Sequence, residues 1–349
     1  MLLIIFFLSS GLFLGWSLGA NDAANIFGTA VGTRMIKFKT AALICSVFVI
    51  LGAVVSGAGA SHTLGKLGAV NELAGAFIVA LAAALTVLWM TKIGLPVSTS
   101  QAIVGAIIGW NFYSQTPTSM SSLSKIVGTW IFSPILSALF AFLLFFLVKW
   151  LVERSKIHLL SLDAFTRTGL LVVGAFGSYS LGANNIGNVM GVFINSSPFT
   201  DISVAGVFNF TSIQQLFLLG GVAIAIGVYT YSQNVMKTVG SGIYKLSPIT
   251  ALVVVLASSI TLFLFASQGL YSFLSSHNLP TFPLVPVSSS QAVVGSVMGI
   301  SLAKGGRNLN FKKIGQISMG WIVTPVASAI LAYFSLFFMQ NVFMQNVFH

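Results

Sequence analysis

Two stretches decide how this chain folds: Gly19-Ala20-Asn21-Asp22-Ala23-Ala24-Asn25-Ile26-Phe27-Gly28 and Pro96-Val97-Ser98-Thr99-Ser100-Gln101-Ala102-Ile103-Val104-Gly105. Both recur, in the same order, as Gly182-Ala183-Asn184-Asn185-Ile186-Gly187-Asn188-Val189-Met190-Gly191 and Pro286-Val287-Ser288-Ser289-Ser290-Gln291-Ala292-Val293-Val294-Gly295. Internal similarity of this kind marks a duplicated architecture.

The residues around the motifs identify the solvent. Of 349 residues, 56% are apolar and 6% charged, and the mean hydropathy is +0.98. Soluble domains carry about 25% charged residues, so a soluble enzyme, a disordered tail and a secreted disulfide scaffold are excluded. The lone cysteine, Cys45, lies in an apolar run and reads as a small core residue. Ten segments approach the roughly 20 apolar residues that a span requires: 2–28, 41–60, 74–91, 95–113, 126–148, 168–195, 214–232, 248–270, 284–303 and 314–339. The expected fold is an all-α polytopic membrane protein.

The net charge of +11 comes from sixteen Lys and Arg against five acids. In a soluble chain that balance points to nucleic acid or an acidic partner; here it sorts by membrane side. Fourteen basic residues fall in loops on one side (Arg34, Lys37, Lys39, Lys92, Lys149, Arg154, Lys156, Arg167, Lys237, Lys245, Lys304, Arg307, Lys312 and Lys313), leaving Lys66 and Lys125 on the other. The positive-inside rule places the first set in the cytoplasm and both termini outside, as expected for the plasma membrane. Reading 74–113 and 280–303 as re-entrant hairpins changes no later assignment. The N-terminal run lacks a basic n-region and its distinctive end recurs inside the chain, so it reads as a retained span rather than a cleaved signal. No nucleic-acid partner is expected.

Residues 1–150 form the first repeat, 151–167 a polar cytoplasmic linker and 168–349 the second repeat. Five segments per half is an odd number, so the second half enters from the opposite side. This is an inverted-topology repeat, a common build of secondary transporters, with discontinuous helices and re-entrant hairpins expected at its centre.

Polar residues inside spans are costly and functional by default. Asn21 and Asn25 lie four apart on one helix face, beside Asp22, and Asn184, Asn185 and Asn188 repeat the pattern. Carboxylate and amide oxygens suit a small cation, while amide N–H groups donate to an oxyanion. Gly19 and Gly28 allow the helix to break or a neighbour to approach closely. Pro96 and Pro286 suit a first helical turn, and Ser98-Thr99-Ser100-Gln101 and Ser288-Ser289-Ser290-Gln291 follow. Free N–H groups, a positive dipole end and several hydroxyls make an oxyanion seat without Lys or Arg. Asp22 repels a dianion, so a co-bound cation at Asp22, Asn25, Asn185 and Asn188 makes the site tolerable and couples the two ligands.

At these motifs the chain resembles the inorganic phosphate transporter (PiT) family, whose signature reads like Gly-Ala-Asn-Asp with a hydroxyl-rich hairpin in each half. A further patch, Gly220-Gly221, Gly227 and Thr238-Val239-Gly240, looks like the family's segment before the second hairpin. The resemblance implies sodium-coupled phosphate uptake, an inverted-repeat fold with termini outside, and a homodimer. It assigns substrate contacts to Asn21, Asp22, Asn184 and Asn185 and to residues 98–101 and 288–291, and sodium to Asp22, Asn25 and Asn188. No other cofactor is implied, and a proton is the alternative coupling ion.

Some positions depart from the family pattern. Asn185 stands where Asp is usual, Gln101 and Gln291 where a His commonly follows the hydroxyls, and Val49 and Thr250 where relatives often carry Glu. Sulfate near neutral pH offers only acceptors and is well met by amides and hydroxyls, so a sulfate permease is the second expectation. An anion channel is a third, since its pore also uses polar rings. His62, His158, His277 and His349 show no metal-ligand spacing, and Glu72 and Asp201 read as solvated outer-loop residues. The Phe-rich runs 140–146 and 334–338 read as lipid-facing or packing surface. There is no Gly-rich nucleotide loop and no nucleophile–base set, so neither ATP-driven transport nor an enzyme is expected.

Overall fold

The computed structural model describes residues 2–68, 70–93, 97–155, 158–204, 208–239, 246–306 and 311–348. Pro96, Lys156, Gly240, Lys245, Arg307 and His349 lie outside them, as do the side chains of His62, Lys237, Thr238 and Lys313. The first half comprises α1 (Leu2–Gly32), α2 (Phe38–Ser56), α3 (Ala58–Leu67), α4 (Leu73–Lys92), α5 (Thr99–Ser114) and α6 (Met120–Ser155). The second comprises α7 (Leu159–Met190), a two-stranded hairpin of β1 (Ile202–Val204) and β2 (Phe208–Phe210), α8 (Ser212–Thr230), α9 (Ser232–Val239), α10 (Pro248–Ala266), α11 (Gln268–Ser276), α12 (Ser289–Ala303) and α13 (Phe311–Asn341). Ten of these helices match the ten apolar segments. Among the described residues, seven helices are long and apolar enough to cross a membrane.

The helices pack by exchanging partners between halves. α1 lies against α8 and α2 against α7; α6 lies against α12 and α13 against α5. Each contact has its counterpart in the other half, and small residues sit where backbones meet. A Cβ at Gly19 would fall on the Ile224 carbonyl, and one at Gly182 on the Val49 carbonyl. Likewise Gly105 faces the Pro325 carbonyl and Gly295 the Pro134 carbonyl. Close approach of this kind replaces hydrophobic burial as the packing force in lipid. Pro134 and Pro325 lie inside α6 and α13. A proline there removes a ladder hydrogen bond, which a membrane helix tolerates when a neighbouring helix packs closely.

α5 and α12 have 16 and 15 residues. At 1.5 Å per residue each reaches only about 24 Å, short of a hydrocarbon core about 30 Å thick. Before them α4 ends at Lys92 and α11 at Ser276, and α5 and α12 start anew at Thr99 and Ser289.

Several expectations are corrected. α1 and α7 run unbroken through both Asn motifs; their glycines serve close packing, and the discontinuities lie before Ser98 and Ser288. α12 begins at Ser289 after its cap Ser288, so Pro286 precedes the helix and is not in its first turn. The segment 41–60 is divided at Gly57 into α2 and α3. The linker 151–167 is largely helical, because α6 extends to Ser155 and α7 begins at Leu159. Lys149–Glu153 at 3.8 Å and Arg167–Asp163 at 3.4 Å are i,i+4 pairs along these extensions.

Candidate functional site

Four elements carry the motif side chains: α1, α7 and the first turns of α5 and α12. Asn21, Asp22, Asn25, Asn184, Asn185, Asn188, residues 98–101 and residues 288–291 are all buried, none more than 8% exposed. The fold draws them together through side-chain contacts between elements far apart in sequence. The Ser289 hydroxyl donates to Asp22 Oδ2 at 2.9 Å, and Asn25 Nδ2 donates to the same hydroxyl at 3.3 Å. On the other side, Asn188 Nδ2 donates to Ser100 Oγ at 2.8 Å. Ser100 in turn donates to the Val287 carbonyl at 3.2 Å, so the two helix tips touch.

The tips are built alike. Ser98 accepts from the Gln101 N–H and Ser288 from the Gln291 N–H, both at 3.3 Å. These are N-caps that start a helix abruptly from extended backbone. Each cap occupies one hydroxyl and leaves Thr99, Ser100, Ser289 and Ser290 beside the remaining N-terminal amides. The positive dipole ends of two helices therefore point into one buried polar region.

Not every motif residue is equally open. Asn184 clasps Val287, donating from Nδ2 to its carbonyl at 2.7 Å and accepting its N–H on Oδ1 at 3.0 Å. Asn185 donates to the Leu181 carbonyl at 3.1 Å and accepts from Asn188 Nδ2 at 3.0 Å. Asn21 donates instead to Thr91 Oγ1 at 2.9 Å, near the end of α4. The open atoms are Asp22 Oδ1, Asn188 Oδ1, Thr99 Oγ1, Gln101 Oε1 and Gln291 Oε1, each buried without a hydrogen-bond partner. Leaving such groups unpaired costs about 1–3 kcal/mol each, more when charged. A cluster of them is the signature of a polar ligand site. Carboxylate and amide oxygens are the ligand type that suits a hard cation, and helix N-termini the type that suits an anion. Among the described residues Asp22 is the one charged side chain in the buried set.

Thr91 and the Val287 backbone were not identified as site groups from sequence. A third repeat was also legible and unused: Trp130-Ile131-Phe132-Ser133-Pro134 matches Trp321-Ile322-Val323-Thr324-Pro325. Each copy packs against the half-helix of the other half, and Ser137, just beyond, hydrogen-bonds Ser296 at 2.6 Å.

Fold and site together define a multi-pass integral membrane protein with a buried polar centre between two half-helices. Comparison with known proteins gives its relations. A model of the phosphate transporter family matches residues 18–162, 158–332 and 276–348, so the chain belongs to that family. The sulfate permease of Bacillus subtilis is 32% identical over 92% of this chain and 84% of its own length. A Methanocaldococcus jannaschii protein named "Putative phosphate permease" is 27% identical over 92% of this chain and 93% of its own. A solved structure titled "The sodium-dependent phosphate transporter" superposes with a TM-score of 0.73, covering 97% of this chain and all of that one at 24% identity. It shares the fold.

Proposed function

We propose that this chain is a secondary transporter that imports inorganic phosphate with sodium, by alternating access of two inverted repeats about one shared site. The repeats are 1–150 and 168–349, joined on the cytoplasmic side, with both termini outside. The observation that carries the reading is the pair of capped helix tips at Ser98 and Ser288 meeting Asp22, Asn25 and Asn188 in a buried cluster with unpaired oxygens. An oxyanion seated on the tips takes hydrogen bonds from backbone amides and from Thr99, whose hydroxyl is unpartnered, without a basic side chain; Ser100, Ser289 and Ser290 line the seat and hold the tips to Val287, Asp22 and Ser288. Sodium sits at Asp22 Oδ1, with Asn25 and Asn188 beside it, and neutralises the one buried carboxylate. Each ligand lowers the electrostatic cost of the other, which is the physical basis of symport.

Sulfate is the second reading. The site holds a single carboxylate, and its Oδ2 is already taken by Ser289; the remaining groups are hydroxyls and amides that satisfy an anion with no proton to donate. The sulfate permease relative at 32% identity supports the same alternative. The test is uptake of labelled phosphate into proteoliposomes, with and without an imposed sodium gradient and with sulfate as competitor. Accumulation of phosphate above its equilibrium level only when sodium is driven inward is expected. Downhill flux alone refutes symport, dependence on a proton gradient reassigns the coupling ion, and uptake of sulfate in preference to phosphate reassigns the substrate.

A further inference from the structure

A cavity of about 710 Å³ opens where α3, the first turns of α6, the end of α7 and the stretch from α11 to Val285 come together. Its lining includes Lys66 and Lys125 and, among neutral donors, Thr63, Asn195, Gln268 and Tyr271. No Asp or Glu lines it. Both lysines are exposed, and neither forms an ion pair among the described residues. These are the two basic residues that charge sorting leaves on the outer face (the other fourteen fall opposite), and both stand on this one cavity. On a face with so little positive charge, chance placement gives no reason for that convergence.

The cavity floor adjoins the buried site. Val285 lies two residues before Val287, which Asn184 clasps, and Gly191 lies three residues after Asn188. Ser61, another lining residue, packs against Gly187 of the second Asn motif. The end of α3 is held in place by Asn111, whose Nδ2 donates to the Leu67 carbonyl at 3.3 Å and to Thr118 Oγ1 at 2.8 Å.

We infer that this cavity is an electrostatic antechamber in which Lys66 and Lys125 capture a tetrahedral oxyanion before it passes to the tips at Ser98 and Ser288. The inference rests on the proposed oxyanion import and adds a second, outer site of different chemistry. Charge in a cleft with low-dielectric walls concentrates counter-ions and raises capture rates, and salt screens the effect. The inner site uses neutral donors because a permanently buried Lys or Arg there would have to be desolvated and would pair with Asp22, the carboxylate proposed to hold sodium. The antechamber lysines are exposed, so they serve it without the cost of burying a charge.

The test compares the wild type with the Lys66→Gln/Lys125→Gln and Lys66→Arg/Lys125→Arg double variants in phosphatidylcholine vesicles, using inorganic phosphate and, in parallel, sulfate. For the Gln pair, KM is expected to rise about fivefold to tenfold at low ionic strength with the maximal rate kept, and to converge on the wild-type value in about 0.5 M salt. The Arg pair should restore the wild-type KM. An unchanged low-salt KM in the Gln pair overturns the antechamber while leaving the transport reading intact. A second measurement does not depend on transport: acylation of the two lysines by a membrane-impermeant amine reagent, read by mass spectrometry. Protection that grows with phosphate concentration supports capture of the free anion. Protection that instead follows the anionic lipid content of the vesicle assigns the lysines to lipid headgroups and overturns it. Should the wild type move neither anion, the proposed function fails, and the protection experiment still decides whether the cavity binds phosphate.

Discussion

Replacing Asp22 by Asn removes one charge and almost nothing else. The side chains are isosteric, and the amide oxygen of the variant still accepts from the Ser289 hydroxyl, which bonds Asp22 Oδ2 at 2.9 Å. Asn25 keeps its own bond to Ser289. The carboxylate oxygen lost is Oδ1, buried and without a protein partner, and that is the atom assigned to sodium. Two unit charges about 4 Å apart at an effective dielectric of about 20 attract by about 4 kcal/mol. At about 1.4 kcal/mol per decade, the variant should lose roughly three decades of sodium affinity. The assay is a sodium titration of phosphate uptake in proteoliposomes, on protein whose elution profile and thermal midpoint match the wild type. Sodium activation that fails to saturate is expected. A half-saturating sodium concentration within about threefold of the wild type, a difference of well under 1 kcal/mol, refutes the assignment of the cation to Asp22.

Three further outcomes follow from the contacts at the site. Ser289→Ala removes a hydrogen bond to a charged group, about 1.5–3 kcal/mol, and should lower uptake efficiency about tenfold or more; Ser290→Ala, whose hydroxyl bonds Ser288 at 3.1 Å, should cost less than about threefold, and equal effects would deny Ser289 its bridging role. Asn184→Ala strands the buried Val287 N–H, about 1–3 kcal/mol, so both the thermal midpoint and the affinity for the anion should fall, and retention of both refutes the clasp. Gly105→Ala and Gly295→Ala press a methyl onto the Pro325 and Pro134 carbonyls and should destabilise by about 1–3 kcal/mol; Gly128→Ala, with open space at its Cβ, should leave the melting temperature unchanged.

The ten helices that match apolar segments were legible because apolar length is a strong signal and the polar residues interrupting it are few. The site was legible for the same reason: Asp22 and the Asn residues stand out against lipid-compatible neighbours. Where reading stopped, the deciding term was a neighbour that sequence does not display. Gly19 permits either a helix break or a close approach, and the Ile224 carbonyl lying against it selects the second. Residues 151–167 read as a polar linker, yet Lys149 with Glu153 and Asp163 with Arg167 carry the i,i+4 spacing of helices that run past the apolar segment. Thr91 is one hydroxyl in an apolar helix, also bonded to the Val87 carbonyl, and nothing in its own sequence context announces Asn21 as its partner. The hairpin at Ile202–Phe210 is too short for a periodic signal.

The two halves are alike in motif and unlike in contact, and the difference bears on the proposed alternation. Asn25 reaches the second hydroxyl residue of the opposite tip, Ser289, while Asn188 reaches the third, Ser100. Asn184 clasps Val287 of its own half; Asn21, its counterpart, leaves the equivalent Val97 and bonds Thr91 instead. A site held symmetrically would present both membrane faces with the same opening, and a transporter cannot allow that without leaking. In the proposed inverted arrangement, exchanging the two contact sets would turn the molecule to face the other side at little net cost, because each half already possesses the residues the other is using. The Asn21 and Asn184 bonds are then the latches that must trade places. Mutating Asn21 to Ala should bias the protein toward the state in which its bond to Thr91 is open. Accessibility of a cysteine introduced at the buried Met90, beside Thr91, to a thiol reagent applied from the cytoplasmic side should rise in that variant, and unchanged labelling would deny Asn21 a part in the exchange.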